Sequence, residues 1–75
     1  MNQSTETFIK VLCARQSELK LHDGEFAARI GISRPLWVQV RSGSKAVGLQ
    51  LLQGVARAFP DLDDQVLAFL RGDSQ

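Results

Sequence analysis

The most constraining feature of the sequence is the spacing of small and apolar residues between positions 24 and 43. Ala27 precedes Gly31 by four residues, and Trp37 and Val40 follow that glycine by six and nine residues. A small residue at position 27 lets a second helix approach the first closely, and glycine can adopt the positive φ that ends a helix abruptly. The spacing therefore predicts two short helices joined by a tight turn, with Trp37 and Val40 facing the first of them.

Length and composition limit the chain to one small domain. Its 75 residues, 44% hydrophobic and 23% charged, are typical of a single globular unit. We expect one domain over 1–75, with flexible ends at 1–4 and 72–75. Cys13 is the only cysteine, which excludes an internal disulfide and a zinc–cysteine cluster. No leader-like segment or membrane-length apolar run is evident, which predicts a cytoplasmic protein without a membrane partner.

Hydrophobic periodicity along the chain predicts an all-α protein with five helices and no strand. The predicted helices cover about residues 5–19, 23–30, 34–42, 48–59 and 61–70. In the first helix, the predicted inward residues are Phe8, Leu12 and Leu19. In the fourth helix, they are Leu49, Leu52, Val55, Ala56 and Phe59, which recur at three- and four-residue intervals.

Polar residues and a proline mark the ends of these helices. Asp23 is suited to be the N-cap or a first-turn acid of the second helix, and Ser33 to be the N-cap of the third. Pro60 ends the fourth helix, and Asp61 is the predicted N-cap of the fifth. The acids at 61, 63 and 64 resemble a metal-binding cluster, but a cap followed by two first-turn acids is the simpler interpretation at a helix start.

Charge is distributed unevenly along the chain, although the net charge is only +1. Residues 26–60 contain five cations and no acid, whereas the flanking segments contain all eight acids and four cations. A cationic centre with acidic ends is typical of a protein that faces phosphate groups. Chance clustering in a short chain is the alternative. The central cations are Arg29, Arg34, Arg41, Lys45 and Arg57.

Two segments resemble the Cro/CI-type helix-turn-helix family, the lambda-repressor-like (XRE-type) proteins of phages and small bacterial regulators. They are FAARIGISRPLWVQVRSG at 26–43 and LQLLQGVARAFPDLD at 49–63, within a resemblance that covers about residues 8–70. The resemblance implies a five-helix lambda-repressor-like domain that binds double-stranded DNA sequence-specifically, as a homodimer on an inverted-repeat operator. The implied role is a transcriptional regulator, a Cro-like repressor or controller, with no cofactor or small-molecule ligand. Its recognition helix would span about residues 34–42 and enter the major groove.

Three positions depart from the pattern of that family. Asp23 stands where the family often has a glutamine that clamps a DNA phosphate, and Val47 replaces the usual loop proline. Arg41 stands near the end of the third helix, where the family commonly has a glutamate that pairs with an arginine of the first helix. We therefore expect that internal pair to be absent and Arg41 to face a phosphate instead.

With Trp37 and Val40 facing inward, the opposite side of the third helix is the expected DNA-reading face. Arginine can form paired hydrogen bonds with guanine, and glutamine with adenine, while apolar side chains contact the thymine methyl. The predicted base-reading residues are Arg34, Pro35, Val38 and Gln39. The predicted phosphate contacts are Ser33, Arg41, Ser42 and Lys45. A solvated helix face is the alternative for Arg34 and Gln39, and base stacking is the alternative for Trp37.

The fifth helix is richer in apolar residues than one inward stripe requires. Leu62, Val66, Phe69 and Leu70 follow helical spacing and can pack on the fourth helix. Leu67, with part of Phe69 or Leu70, is then left toward solvent, and exposed apolar surface usually marks a partner surface. The predicted homodimer interface is therefore Leu67, Phe69 and Leu70, with the first helix or the N-terminal tip as the competing location.

Residues that carry catalysis or bind metals are scarce. His22 is the only histidine, and there is no cysteine pair to join it in holding a metal. The sequence contains no phosphate-binding glycine loop, no HExxH motif and no plausible Ser-His-Asp set. We therefore expect a non-enzymatic role. The alternative to a DNA-binding regulator is an antitoxin-like protein-interaction module, which Asp23 favours and the cationic segment 26–60 disfavours.

Overall fold

The computed structural model of the protein describes residues 3–72, and all of the regular structure within that range is helical. Five α-helices follow one another, and a short 3₁₀ segment, Pro60–Leu62, separates the last two. The helices are α1 Gln3–Glu18, α2 Asp23–Ile30, α3 Arg34–Arg41, α4 Leu49–Ala58 and α5 Asp63–Gly72. The predicted all-α class and the five predicted helices are confirmed for this range. None of these helices is both long and apolar enough to span a membrane.

The flexible ends predicted at 1–4 and 72–75 fall mostly outside the described residues. Of those positions, 3 and 4 belong to α1, and 72 belongs to α5. The predicted boundaries of all five helices lie within two residues of the observed ones, because most of these boundaries are marked by a cap, a glycine or a proline.

The turn between α2 and α3 has the backbone that the sequence predicts. Gly31 ends α2 with φ at 81°, in the left-handed region, and the Ile32 N–H donates to the Ala27 carbonyl oxygen at 3.0 Å. The Ser33 hydroxyl accepts a hydrogen bond from the Leu36 N–H at 3.3 Å, which makes Ser33 the N-cap of α3. The chain therefore leaves one helix and enters the next within three residues.

The starts of α2 and α5 show two different outcomes for predicted caps. Asp23 is the first residue of α2, the second of its two predicted roles, and His22 is the N-cap. The prediction that Asp61 caps α5 is wrong. Asp61 lies in the 3₁₀ segment, and its carboxylate accepts two hydrogen bonds from the Arg15 guanidinium, at 3.2 and 2.5 Å. The Asp61 carboxylate therefore binds a charged side chain of α1 instead of the backbone N–H groups at the start of α5.

One apolar core joins the five helices. Trp37 is fully buried, which confirms its predicted place in the core. The ring centroid of Phe26 lies 4.9 Å from that of Trp37 and 5.8 Å from that of Phe59. Phe8 of α1 packs on Phe69 of α5, with 5.1 Å between the ring centroids. The other fully buried side chains include Leu12, Ile30, Val40, Leu51 and Val55.

Two leucines that were predicted to face inward are exposed. Leu19 lies just beyond the last residue of α1, where the chain turns with a positive φ at Lys20, so the inward face of the helix ends before it. Leu49 is the first residue of α4 and is 69% exposed, because the buried face of that helix is centred near Leu51 and Val55. Both leucines lie at the end of a helix, and residues there do not share the buried face of its middle turns.

Candidate nucleic-acid interface

The side of α3 that faces away from the core carries the residues predicted to read DNA. Arg34, Pro35 and Gln39 are exposed, and Val38 is half-buried. Trp37 lies on the other side of the helix and is fully buried. No acidic residue occurs in α3. The outer side of this helix can therefore donate hydrogen bonds without repelling a polyanion.

The serines and the lysine predicted to contact phosphate lie at the two ends of α3. Ser33 is exposed at the first end, where its oxygen caps the helix while its proton can still be donated. At the second end, the Ser42 hydroxyl and the Lys45 backbone N–H both donate to the Gln39 carbonyl oxygen, at 3.1 and 3.2 Å. These bonds fold the following loop back on the last turn of α3, so the exposed Lys45 lies beside that end of the helix.

Arg41 forms an internal ion pair, although the pair with an arginine of the first helix is absent, as expected. Its Nε donates to Asp23 Oδ1 at 3.2 Å, and its Nη2 donates to Asp23 Oδ2 at 2.8 Å. Paired bonds of this kind fix the geometry of both charged groups. The partner, Asp23, lies at the start of α2 rather than on α1, and its negative charge would repel a DNA phosphate. Asp23 and Arg41, which both depart from the pattern of the family, thus neutralise each other.

Gln16 of α1 links this ion pair to the core. Its Nε2 donates to the Leu21 carbonyl oxygen at 3.1 Å and to Asp23 Oδ1 at 2.9 Å. Its Oε1 accepts the indole N–H of Trp37 at 3.0 Å. Sequence reasoning missed this residue, although a buried tryptophan normally requires an acceptor for its N–H, and that requirement was the available signal. We call Gln16, Asp23, Trp37 and Arg41 the polar circuit.

The two carboxylates that hold arginines have lowered pKa values. Hydrogen bonds from Arg41, and then from Gln16, lower the pKa of Asp23 from 3.8 to about 2. The hydrogen bonds from the Arg15 guanidinium likewise lower the pKa of Asp61. Both carboxylates are therefore ionised at neutral pH, and the polar circuit keeps one charge state across the physiological range.

The remaining cations of the central segment are available to a partner. All five cations between positions 26 and 60 are exposed, and only Arg41 forms a salt bridge with another described residue. The other four are Arg29, Arg34, Lys45 and Arg57. Exposed cations without a salt-bridge partner attract an anion.

The exposed apolar surface of α5 contains two of the three residues predicted for the dimer interface. Val66 and Phe69 are buried as predicted, whereas Leu70 is 52% exposed and does not complete the inward stripe. Phe69 packs on Phe8, so its ring is not available to a second protein. Leu67, at 47% exposure, and Leu70 form the exposed apolar patch on α5. The predicted dimer surface is thereby reduced to these two leucines.

Comparisons of the chain with protein-family models, curated protein sequences and solved structures found no match. The case for a function therefore depends on the residues and contacts described above.

Proposed function

We propose that the protein is a sequence-specific DNA-binding regulator in which α2, the turn 31–33 and α3 act as a helix-turn-helix unit. The observation that carries the proposal is the outer side of α3, which bears exposed Arg34 and Gln39, has no acid and lies opposite the buried Trp37. A short helix that is held by its inner side and exposed on its outer side has the geometry needed to enter the major groove.

Arg34 and Gln39 are suited to read different base pairs. Arg34 is the first residue of α3, and Gln39 lies more than one turn further along. Arginine forms paired hydrogen bonds with guanine O6 and N7, and glutamine with adenine N6 and N7. Pro35 and Val38 lie between them and can contact thymine methyl groups. The outer side of α3 can therefore distinguish base pairs both by hydrogen bonds and by apolar contacts.

The unpaired cations supply the attraction to the DNA backbone. Arg29, Arg34 and Lys45 are exposed and form no salt bridge with a described residue. If each displaces about one counterion from the DNA in both halves of a dimer, the logarithm of the affinity should fall with the logarithm of the salt concentration with a slope of about −5. Arg41 adds to this only where a phosphate competes with Asp23 for its guanidinium.

A homodimer would place two reading faces on one side of the duplex. The exposed patch of Leu67 and Leu70 on α5 is the surface best suited to that contact. A two-fold contact would set the two copies of α3 about 34 Å apart, which is one turn of DNA. The operator should then be an inverted repeat whose half-site centres lie about 10–11 base pairs apart.

Selection from a random double-stranded DNA library tests the proposal. We expect the wild-type protein to enrich an inverted repeat and to lose affinity for it steeply with salt. The double variant Arg34→Ala/Gln39→Ala is the matched control, because it removes two exposed side chains and retains Lys45. It should still bind DNA in a salt-dependent way without enriching a sequence. A folded wild-type protein that enriches no sequence at low or moderate salt would reject the proposal.

The same experiment separates the proposal from an antitoxin-like protein-interaction module. The exposed patch on α5 favours that second candidate equally well, since it fits a different protein as readily as a second copy. In that case the folded protein would sediment as a monomer and enrich no DNA sequence. Dimerisation together with sequence enrichment supports the regulator.

A further inference from the structure

We propose that Gln16 and Asp23 are positioning residues for α3, because the polar circuit holds that helix at two points and so sets the orientation in which its outer side is presented. The use made of that outer side rests on the proposed function. The tether itself does not depend on it, since every bond in the circuit joins described residues of this chain.

The polar circuit begins and ends on α3. Trp37 and Arg41 are four residues apart, so they lie on the same side of α3 and one turn from each other. Trp37 is bonded to Gln16 on α1, and Gln16 is bonded to Asp23 at the start of α2. Asp23 then holds Arg41 through both carboxylate oxygens. Two helices thus fix α3 at two successive turns.

Apolar packing alone would not fix the orientation of α3. The helix has only eight residues, too few to be stable by itself, and its buried side chains are Trp37 and Val40. Burial of apolar surface has no preferred direction, so two such side chains leave a short helix able to rotate or slide slightly. Hydrogen bonds restrict both distance and angle. The bonds at Trp37 and Arg41 therefore fix the rotation of α3 as well as its position along its axis.

The solvent-facing end of the circuit is expected to affect orientation more than folding stability. The side chains of Arg41 and Asp23 are 38% and 21% exposed, so their ion pair contributes only modestly to stability. Paired arginine–carboxylate bonds nevertheless give geometric specificity. A base contact depends on the placement of Arg34 and Gln39 within a fraction of an ångström, so a small rotation of α3 would impair it.

Two variants open the circuit at different points. Gln16→Met keeps the length of the side chain but removes every hydrogen bond of the amide. Asp23→Asn keeps an oxygen that can accept from Gln16 but removes the charge that holds Arg41, and the side chain is partly exposed, which lowers the risk to folding. Gln53→Met is the matched control, because Gln53 is an exposed glutamine of α4.

Nuclear magnetic resonance tests the tether without DNA. Trp37 is the only tryptophan, so one indole N–H resonance reports its bond to Gln16. We expect that resonance to shift in Gln16→Met. Residual dipolar couplings of the α3 amides should change relative to those of α4 and α5 in both circuit variants, and stay unchanged in Gln53→Met. A folded Gln16→Met or Asp23→Asn protein whose α3 keeps its orientation would overturn the inference.

DNA binding gives the second measurement. Gln16→Met leaves all charges in place, so its affinity for random DNA should equal that of the wild type. Its affinity for the selected operator should fall about tenfold or more, the effect of losing a good base contact. An equal loss on both DNAs, or no loss on either, contradicts a positioning role. If the wild-type protein selects no sequence, the proposed function fails. The residual dipolar couplings then still show whether the polar circuit sets the orientation of α3.

Discussion

A Cβ atom added to Gly54 would overlap the backbone carbonyl oxygen of Ile30, so α4 lies against the last turn of α2 with no room for a side chain between them. We predict that Gly54→Ala destabilises the protein by about 1–3 kcal/mol or more, since the obstacle is backbone and the two helices must separate. This should outweigh the gain of about 1 kcal/mol from placing alanine in a helix. Urea unfolding monitored by Trp37 fluorescence measures the difference.

Gly24→Ala is the matched control for that prediction. Its Cβ would make an ordinary contact, 3.5 Å from Cδ of Arg34, and Gly24 lies within α2. The substitution should therefore leave stability unchanged or raise it by up to about 1 kcal/mol. Equal stabilities for Gly54→Ala and wild type would contradict the close approach of α4 to α2.

Acid sensitivity should come partly from the two arginine–carboxylate pairs. The folded-state pKa of Asp23 is about 2 and that of Asp61 is also lowered, against 3.8 for an ordinary aspartate. An unfolded chain then binds protons more readily than the folded one. The stability that these pairs contribute is present above about pH 4 and is lost as the pH falls toward 2. Melting temperatures measured from pH 5 to pH 2 should show this decline.

The double variant Asp23→Asn/Asp61→Asn tests the origin of the acid sensitivity. It should be less stable than the wild type at pH 7 and should lose less stability between pH 4 and pH 2, because two groups with lowered pKa values are gone. The same acid-induced decline in variant and wild type would show that other carboxylates cause it.

Substitutions on and beside the outer side of α3 should distinguish sequence-specific binding from general attraction to DNA. Arg34→Ala and Gln39→Ala should each weaken binding to the selected operator by about 1–3 kcal/mol and relax the preference at particular base pairs. Lys45→Ala should weaken all DNA sequences alike, because a phosphate contact carries no sequence information. Titrations of the three variants on operator and on random DNA make the comparison. Equal losses on both DNAs for all three would place the reading face elsewhere.

Leu67→Glu should prevent dimerisation and leave the fold intact. Leu67 is 47% exposed, so a charge there is tolerated in the monomer but would be buried in a contact through α5. Sedimentation should show a folded monomer that binds operator far more weakly. Leu49→Glu is the control, since Leu49 is more exposed and lies on α4. A Leu67→Glu protein that remains dimeric would move the interface to another surface.

Local signals explain which parts of the fold could be predicted from the sequence. Gly31, Ser33 and Pro60 act on the backbone beside them, so the ends of α2, α3 and α4 follow from residue type alone. The burial of Trp37 follows from its spacing to Gly31. Leu19 was misplaced because nothing in its neighbourhood of the sequence shows that α1 has already ended.

The polar circuit could not be predicted by the same reasoning. Asp23 and Arg41 are on different helices, and no periodicity relates two charges that meet only after the chain has folded. The residues on the outer side of α3 were easier to identify, because exposure of one side of a helix follows from burial of the opposite side.

The packing of Phe8 on Phe69 has a consequence for the order in which the fold opens. This contact joins the first and last helices and so closes nearly the whole chain into a loop, whereas Phe26 meets Trp37 across a single turn. The entropy lost on closing a loop grows with its length, so contacts between distant helices form late and open early. Native-state hydrogen exchange should show α5 amides exchanging through partial opening at lower free energy than those of α2 and α3. Uniform exchange by global unfolding alone would mean that the terminal helices and the central pair form one cooperative unit.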